Sequence, residues 1–263
     1  MEKRIPKPEN SPYVGPRPFE QKDSKLFYGR NYETLEIISL ILSNPLTLIY
    51  SQSGVGKTSL FNTKIINELE KQYKFKTFPS ARVRSVISPD KIPEDVTNMY
   101  IFNALLSLKA DANVDIIKNQ SLSDFLKQDE SNEKKETSSM PRIIVFDQME
   151  ELFGLYPENW YNQQQDFFRQ IAEALSQDKM LRIVFIIREE YLAYLSSFAQ
   201  LLPSRLRARF RLERLRKDAA LEAVLEPIKQ KGEFVFAPGV AEKLVDDLLT
   251  MRVETIFGKI VDM

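Results

Sequence analysis

LTLIYSQSGVGKTSL, residues 46–60, joins a short apolar run to a turn that contains two glycines and ends in Gly-Lys-Thr at 56–58. The apolar run at 46–50 suits a buried strand of a parallel sheet. Gly54 and Gly56 permit unusual backbone dihedrals that aim several N–H groups at one anion. A strand, a glycine-containing turn, and then Lys and Thr at the start of a helix together predict a phosphate-binding loop.

The polar residues of this loop have expected contacts with a bound nucleotide. Lys57 is expected to reach the β- and γ-phosphates, and the hydroxyl of Thr58 is expected to complete the coordination shell of Mg²⁺. The helix that starts there presents its positive N-terminus to the phosphates. The expected nucleotide-binding residues of the loop are Ser53, Gly54, Val55, Gly56, Lys57, Thr58 and Ser59.

One position departs from the Walker A pattern G-x-x-x-x-G-K-[ST], because Ser51 stands where the first glycine is expected. That glycine mostly serves the exit of the chain from the strand, so a serine is compatible with a working loop and also with a weakened one. The whole chain has only 8 glycines, and two of them fall in this turn. Such scarcity favours a phosphate-binding loop over an ordinary strand-to-helix turn.

The composition restricts the chemistry and the partners. Lys and Arg together number 37, as do Asp and Glu, so no net charge attracts nucleic acid or an anionic membrane. The absence of Cys and His from this sequence excludes disulfides, thiol catalysis, Cys/His zinc sites and imidazole acid-base chemistry. Carboxylates, Lys, Arg and a hard cation such as Mg²⁺ are left for any reaction.

The chain is long enough to bury a sizeable core, since it has 263 residues of which 43% are apolar. No apolar run approaches the roughly 20 residues of a membrane span, and the N-terminus lacks the core of a signal peptide. We therefore expect a cytoplasmic protein without a membrane partner.

Strand and helix patterns alternate along the chain, which predicts an α/β fold with a parallel sheet covered by helices on both faces. We expect an extended proline-rich arm at 1–19, a P-loop NTPase domain at 20–214 and a small helical subdomain at 215–263. Residues 127–139 are too polar to pack and predict an exposed insertion. Helices are expected at 31–43, 99–108 and 240–249. Another helix is expected after the loop, with Phe61, Ile65 and Leu69 on its buried face. Strands are expected at 81–86, 143–146, 181–187 and 205–211.

A second constellation lies in PRIIVFDQMEELF, residues 141–153. The buried strand predicted there ends at Asp147, at the edge where ligands of open α/β sheets bind. This is the geometry required of a Walker B aspartate, whose carboxylate helps to hold Mg²⁺. Glu150 and Glu151 follow closely enough to polarise the water that attacks the γ-phosphate, and the pattern does not choose between them.

Arginines mark two later segments. Arg188 follows the predicted strand 181–187 and is well placed to contact the γ-phosphate and report its presence. The alternative is an arginine that is solvated or paired with Glu189. Arginines also occupy every second position from Arg205 to Arg211, which is typical of a strand with one basic face. Solvated charge, an arginine finger and a subunit contact all remain open for that face.

The motifs together resemble those of the STAND NTPases, and most closely the novel bacterial subgroup of that family. They follow the family's order over nearly the whole chain. The segments that carry the resemblance are PYVGPRPF at 12–19, LFYGR at 26–30, SQSGVGKT at 51–58, VFDQMEELF at 145–153, IIREEYL at 186–192, RLRARFRLERL at 205–215 and EPIKQKG at 226–232.

This resemblance implies roles for further residues. Gly29 and Arg30 would border the nucleotide base, and Pro227 would be the base-side proline of the small helical subdomain. The aspartate and the arginine at the two strand ends would be the Walker B acid and the sensor arginine. The glutamate pair resembles the extended acidic Walker B of related NACHT-type members. Gln148 stands where many other ATPases have the catalytic glutamate, so the identity of the base stays open.

The expected function is ATP binding with slow Mg²⁺-dependent hydrolysis, used as a switch in bacterial defence or stress signalling. Loss of the γ-phosphate would release the sheet domain from the helical subdomain. A nucleotide-binding scaffold without turnover is the first alternative. A DNA-linked ATPase of the loader or helicase kind is disfavoured by the neutral charge. A small-molecule kinase is disfavoured by the acidic DQMEELF segment, which suits hydrolysis better.

STAND proteins continue into a winged helix and a sensor array, so the resemblance implies that this chain is a truncated product or a nucleotide-binding fragment. Its expected partners are its own missing sensor region or a separate protein, with a homo-oligomer forming on activation. Without a winged helix to clamp ADP, we expect a monomer with fast ADP release and low, unregulated ATPase activity.

Overall fold

A five-stranded parallel sheet forms the centre of the protein. The computed structural model describes residues 11–84, 87–109, 111–131, 140–154, 161–232, 235–250, 252–254 and 260–262. In chain order the strands are β1 (Leu46–Ser51), β2 (Lys76–Thr77), β3 (Arg142–Phe146), β4 (Leu181–Arg188) and β5 (Arg209–Arg211). Their order in the sheet is β2-β3-β4-β1-β5. The predicted α/β class and the two strands expected at 143–146 and 181–187 are confirmed.

Helices cover both faces of this sheet, and those expected at 31–43, 99–108 and 240–249 are confirmed. The α-helices are α1 (Asn31–Ser43), α2 (Lys57–Leu60), α3 (Ile66–Lys71), α4 (Met99–Leu108), α5 (Val114–Ile117), α6 (Leu122–Ser131), α7 (Glu151–Gly154), α8 (Tyr161–Gln177), α9 (Leu192–Ser196), α10 (Lys217–Lys231) and α11 (Val240–Leu249). Short 3₁₀ helices span Gln21–Leu26, Pro89–Lys91, Glu189–Tyr191, Ala199–Leu201 and Pro203–Leu206.

The period-two alternation of the strands divides the core into two clusters. In β3, Ile143 and Val145 belong to the cluster under α1 and α3, whereas Ile144 and Phe146 belong to the aromatic cluster under α4 and α8. Phe146 meets the ring of Phe185 on β4 edge to face, with centroids 5.7 Å apart. Because both faces of these strands are buried, their sequences are continuous apolar runs.

The helix after the phosphate loop (residues 51–58) packs on the sheet as predicted. Between α2 and α3, a π-helical turn spans Phe61–Ile65 without a break in the helix. The expected face is buried, since Phe61, Ile65 and Leu69 belong to the cluster that also holds Ile49 of β1. This packing fixes the helix end that carries Lys57 and Thr58.

The strand expected at 81–86 is wrong. Ala81 makes only an isolated parallel bridge to Phe146, and residues 85 and 86 lie outside the described part of the chain. The Arg82 N–H donates to the Ser107 hydroxyl at 3.2 Å, and the Arg82 side chain turns toward the residues that follow β3. The chain therefore leaves the sheet after one residue, and β2 forms the sheet edge instead.

The strand expected at 205–211 is wrong over its first half. Ser204, Arg205 and Leu206 all have left-handed φ, at 50°, 50° and 55°. They belong to the 3₁₀ helix Pro203–Leu206, in which Leu206 is buried in the aromatic cluster. Burial of this leucine overrides the alternating arginine pattern, so β5 begins only at Arg209.

In the polar stretch 127–139, residues 127, 128 and 131 are exposed as expected, but a loop is wrong over 127–131, which form the end of α6. This helix end is held by ion pairs, from Lys76 to Asp129 and from Arg142 to Glu130 at 3.4 Å. Ion pairs with residues of β2 and β3 thus hold residues 127–131 in a helix. Their polar sequence alone does not predict this helix. Residues 132–139 lie outside the described residues.

Residues 11–19 contain neither helix nor strand. After β5, helices α10 and α11 pack together, and Lys217 pairs with Asp246 at 2.5 Å. An antiparallel pair of β6 (Arg252–Glu254) and β7 (Ile260–Asp262) follows, which the sequence pattern did not predict. Among the described residues, no helix has the length and apolar character that a membrane span requires.

Candidate nucleotide-binding site

The phosphate loop connects β1 to α2 through two left-handed glycines. Gly54 has φ +79° and Gly56 has φ +98°, conformations that residues with a Cβ rarely adopt. A Cβ at either position would meet no atom within 4 Å. The backbone conformation rather than crowding therefore requires glycine at these positions, and it leads directly into the helix start at Lys57.

Lys57 is folded back onto the loop. Its Nζ donates to Ser51 Oγ at 2.8 Å and to the carbonyl oxygens of Ser51 and Gln52, each at 3.1 Å. Burial lowers the pKa of this ammonium. Ser51 is 1% exposed, so the serine in the place of the first glycine fits the strand exit and supplies an acceptor for Lys57.

The expected metal ligands meet across the loop. Thr58 Oγ1 donates to Asp147 Oδ2 at 2.9 Å, although the two residues lie 89 positions apart in sequence. Asp147 Oδ1 accepts the N–H of Gln148 at 2.9 Å. The strand order β3-β4-β1 brings the ends of these strands to one edge of the sheet. A hydroxyl and a carboxylate are hard oxygen donors, so this pair fits Mg²⁺ that keeps water and phosphate as its other ligands.

Glu150 and Arg188 form the far side of the site. Arg188 Nε lies 3.0 Å from Glu150 Oε1, and the Arg188 N–H donates to Glu150 Oε2 at 3.2 Å. The alternative pairing of Arg188 with Glu189 is wrong, because Glu189 pairs with Arg211 at 3.0 Å. The strand-end arginine therefore lies directly beside one of the two candidate bases.

Glu151 and Gln148 are engaged by a third arginine. Arg82 Nη2 lies 3.2 Å from Glu151 Oε1 and also donates to Gln148 Oε1. Burial raises the pKa of the Glu151 carboxyl group. Gln148 has φ +58°, which turns the chain sharply after Asp147. Sequence reasoning missed Arg82, because the residue was assigned to a strand.

The phosphate loop and the residues at the ends of β3 and β4 line a cavity of about 330 Å³, here called the phosphate cavity. Glu151 and Arg82 are not part of its lining. The loop side of the lining consists of Ser53, Gly54, Gly56, Lys57, Thr58 and Ser59. The opposite side consists of Asp147, Gln148, Glu150, Ile186 and Arg188. Residues 16–18 of the proline-rich arm also line it, which sequence reasoning missed because only an extended arm was expected.

The residues expected near the base lie behind the phosphate loop. Arg30 is 3% exposed and donates from Nη2 to the Val55 carbonyl at 3.2 Å, while Nη1 pairs with Glu33 at 2.5 Å. Arg30 and Val55 therefore brace the loop against α1, outside the lining of the phosphate cavity. Gly29 has φ +81°, and a Cβ there would lie 2.3 Å from the Ala219 carbonyl oxygen of α10.

Gly29 also borders a second cavity of about 630 Å³, between the start of α1, the segment after β5 and the start of α10. Pro227 lies within α10 and is buried, but it lines neither of these two cavities. Of the three residues expected near the base, Gly29 lines the second cavity, and Arg30 and Pro227 line neither of the two cavities described here.

Two solved structures have similar folds at low sequence identity. One is the Walker-type ATPase PABY2304 of Pyrococcus abyssi, with a TM-score of 0.57, 17% identity and coverage of 89% of this chain. The other is the ORC2 protein of Aeropyrum pernix in ADPNP–ADP complexes, with a TM-score of 0.56, 17% identity and coverage of 82% of this chain. This chain spans 65% and 56% of the length of these proteins, respectively. The similarity shows that this chain shares its fold with these two proteins.

No curated protein matches the sequence significantly. A family model does match it, over residues 12–255, and this range contains the phosphate loop, Asp147 and Arg188. The family is described as Novel STAND NTPase 1. On the strength of this match over nearly its whole length, the chain belongs to the Novel STAND NTPase 1 family.

Proposed function

We propose that the protein binds ATP in the phosphate cavity, hydrolyses it slowly with Mg²⁺, and uses the two nucleotide states as a signalling switch. The observation that carries this proposal is the 2.9 Å hydrogen bond from Thr58 Oγ1 to Asp147 Oδ2 beside the ammonium of Lys57. It brings the groups that we propose to bind phosphate and Mg²⁺ to one place. An adenine nucleotide is the preferred substrate, because the similar Aeropyrum pernix protein was solved in ADPNP–ADP complexes.

Binding requires Lys57 to exchange partners. Its three acceptors in this structure are oxygen atoms of residues 51 and 52. A phosphate oxygen carries more negative charge than a carbonyl or a hydroxyl, so the ammonium can turn toward the nucleotide with a gain in electrostatic energy. Thr58 and Asp147 would hold Mg²⁺, which neutralises charge on the phosphates.

Hydrolysis involves the Glu150–Arg188 pair. In this structure the two charges neutralise each other at 3.0 Å. A γ-phosphate in the cavity competes for the guanidinium of Arg188, which frees the Glu150 carboxylate to orient water. That water attacks the γ-phosphorus as the bond to the β–γ bridging oxygen breaks, and Glu150 accepts the proton. Arg188 thereby couples the arrival of the γ-phosphate to activation of the base.

Phosphate release by the purified protein, with and without Mg²⁺, tests this proposal when wild type is compared with Asp147→Asn. The amide keeps the shape of the side chain but loses the charge that helps to hold the metal ion. We expect the variant to bind ATP and to release phosphate roughly 100-fold more slowly. Equal Mg²⁺-dependent rates for wild type and variant would contradict the proposed role of the Thr58–Asp147 pair.

A nucleotide-binding scaffold without turnover is the second candidate. It is favoured by the Glu150 carboxylate, both of whose oxygens contact Arg188, and by Gln148 in the position where many ATPases have a glutamate. Stoichiometric ATP binding without phosphate release over hours would select this candidate. A switch also needs a second structural unit whose position depends on the bound nucleotide. We propose that another protein segment or a second copy of the chain has that role.

A further inference from the structure

The arm at residues 11–19 contributes a third wall to the phosphate cavity, through residues 16–18. Two hydrogen bonds fix the arm to the helix after the phosphate loop. Phe19 N–H donates to Ser59 Oγ at 3.1 Å, and Asn62 Nδ2 donates to the Phe19 carbonyl at 3.3 Å. The arm therefore crosses the first turns of this helix at the mouth of the site.

Arg17 is held firmly in this wall. Its Nη1 and Nη2 donate to the two carboxylate oxygens of Asp23 at 2.7 and 3.0 Å, and Nη1 also donates to the Pro18 carbonyl at 3.0 Å. Asp23 is fixed in turn, because it is 8% exposed and accepts the N–H of Glu20 at 2.9 Å. Prolines on both sides of Arg17 restrict its backbone. A guanidinium positioned in this way loses little conformational freedom when it binds a ligand.

The guanidinium keeps donors for an anion. A guanidinium carries five N–H donors, and Asp23 and the Pro18 carbonyl engage three of them within the part of the chain that the structure describes. Nη1 also lies 3.6 Å from Glu20 Oε1, beyond hydrogen-bond distance. The Arg17 side chain is 40% exposed. Its remaining N–H groups are suited to phosphate oxygens, whose geometry matches the planar fork of arginine.

Arg17 approaches the loop from a different side than the metal-binding residues. Consecutive residues of an α-helix point about 100° apart. Thr58 is directed at Asp147, whereas the next residue, Ser59, is directed at the arm. The proposed function assigns Mg²⁺ and the γ-phosphate to the side of Asp147 and Arg188. The side of Arg17 is therefore left for the phosphates that ATP and ADP share.

We propose that Arg17 is a ligand of the bound nucleotide and donates hydrogen bonds to the phosphates common to nucleoside di- and triphosphates. This inference rests on the proposed function and extends it to a residue of the arm. The same arm reaches α10, since Tyr13 OH donates to the Val224 carbonyl at 2.8 Å. Occupancy of the phosphate cavity is thereby connected to α10 through a single short segment.

The affinities of Arg17→Ala and Arg17→Lys for ATP and ADP, measured by calorimetry with Mg²⁺, test the proposal. We expect Arg17→Ala to weaken both affinities about tenfold, with an unchanged ratio between them, because a charge-assisted hydrogen bond is lost. Arg17→Lys keeps the charge but loses the planar fork, so its affinities should fall between those of wild type and Arg17→Ala. Arg207→Ala, which removes an exposed arginine outside the phosphate cavity, should bind like wild type.

Hydrogen exchange of the wild-type protein gives a second test that does not depend on the folding of a variant. We expect ATP and ADP each to slow exchange of the backbone amides in residues 11–24. An arm that exchanges at the same rate with and without nucleotide would overturn the inference.

Lys57→Ala separates failure of this inference from failure of the proposed function. Wild-type affinity of Arg17→Ala, together with lost binding in Lys57→Ala, would overturn the role of Arg17 and leave the nucleotide site in place. Retained binding in Lys57→Ala would instead overturn the site itself. If Arg17→Ala melts without a cooperative transition, Arg17→Lys and the exchange experiment on wild type decide.

Discussion

Two walls of the phosphate cavity are stabilised in different ways. In the loop wall, residues 51–59, the contacts of Lys57 are made to residues five and six positions away. In the acidic wall, formed by Asp147, Gln148, Glu150 and Arg188, Glu150 is paired with Arg188 across 38 positions. The next residue in sequence, Glu151, lies outside the cavity lining and is paired with Arg82 across 69 positions. Local backbone geometry thus shapes the loop wall, whereas long-range ion pairs shape the acidic wall.

This difference assigns separate tasks to the two walls. The loop wall presents N–H groups and a cation, so we propose that it determines whether a nucleotide binds. The acidic wall presents a carboxylate whose charge is neutralised by an arginine, so we propose that it determines what happens to the γ-phosphate. Substitutions in the loop wall should therefore change affinity, and substitutions in the acidic wall should change turnover and selectivity.

The largest effect is expected for Lys57→Ala, which should weaken ATP binding at least about 100-fold, because charge-assisted contacts in a partly desolvated loop are lost. The fold should persist, since burial lowers the pKa of Lys57 and the folded state therefore disfavours its charge. Calorimetry and thermal melting measure the two properties. Lys71→Ala, an exposed lysine at the end of α3, is the matched control. Equal ATP affinity in Lys57→Ala and the control would show that the loop wall does not bind phosphate.

Glu150→Gln should have the next largest effect and act on turnover. Its carboxylate lines the phosphate cavity, and loss of a general base slows a reaction by roughly 100-fold or more. Binding of ATP should change little, because the amide preserves the size of the side chain. Single-turnover phosphate release at saturating ATP measures the effect. A rate equal to that of wild type would remove Glu150 as the base and reopen the possibility that Glu151 has this role.

Arg188→Ala tests whether the γ-phosphate binds at the acidic wall. If the guanidinium binds that phosphate, its loss should lower affinity for ATP by about tenfold more than affinity for ADP. Competitive titration with both nucleotides gives this ratio directly. Unchanged ATP:ADP selectivity would count against a sensor role, while an equal loss for both nucleotides would place the arginine beside the shared phosphates.

Glu151→Gln should have the smallest effect on activity, a change of no more than a few-fold, because Glu151 does not line the phosphate cavity. Its effect should appear in the pH dependence of stability. Burial raises the pKa of Glu151 above its ordinary value of 4.5, so the folded state favours the protonated form. The stability that Glu151 contributes is present below pH 4.5 and is lost as the pH rises through the raised pKa.

Denaturant unfolding at several pH values tests the direction in which the stability contribution of Glu151 changes with pH. Relative to wild type, Glu151→Gln should become more stable as the pH rises from 4.5 toward neutrality, since Gln carries no carboxyl group to ionise. If Glu151→Gln instead became less stable relative to wild type as the pH rises, the charge of Arg82 would affect the pKa of Glu151 more than burial does.

Sequence predicts the elements that depend on a local pattern better than the groups that are held by long-range contacts. The bounds of α1 and α4 and the buried strand before Asp147 follow from apolar periodicity, which is read locally. The same reasoning fails at Arg82, because its partners lie at residues 148 and 151 and draw the chain out of the sheet. It fails at Leu206, where burial of one side chain overrides a period-two pattern.

A local sequence pattern likewise does not predict which charged residues form ion pairs. The local pattern offers Glu189 as an alternative partner for Arg188, but the sheet order places Arg188 beside Glu150. The arm was expected to be extended, and only the fold reveals that Arg17 reaches the phosphate cavity. The roles of Glu150, Arg188 and the residues near the base stay predictions until nucleotide binding is measured.

Nucleotide content and phosphate release of the purified wild-type protein test the central claim most directly. Denaturation and chromatography identify the bound nucleotide after incubation with ATP, and phosphate release is then followed with and without Mg²⁺. We predict one adenine nucleotide per chain and phosphate release only when Mg²⁺ is present. A protein that retains no nucleotide at millimolar ATP, or that releases phosphate equally well without Mg²⁺, would contradict a site with a binding wall and a catalytic wall.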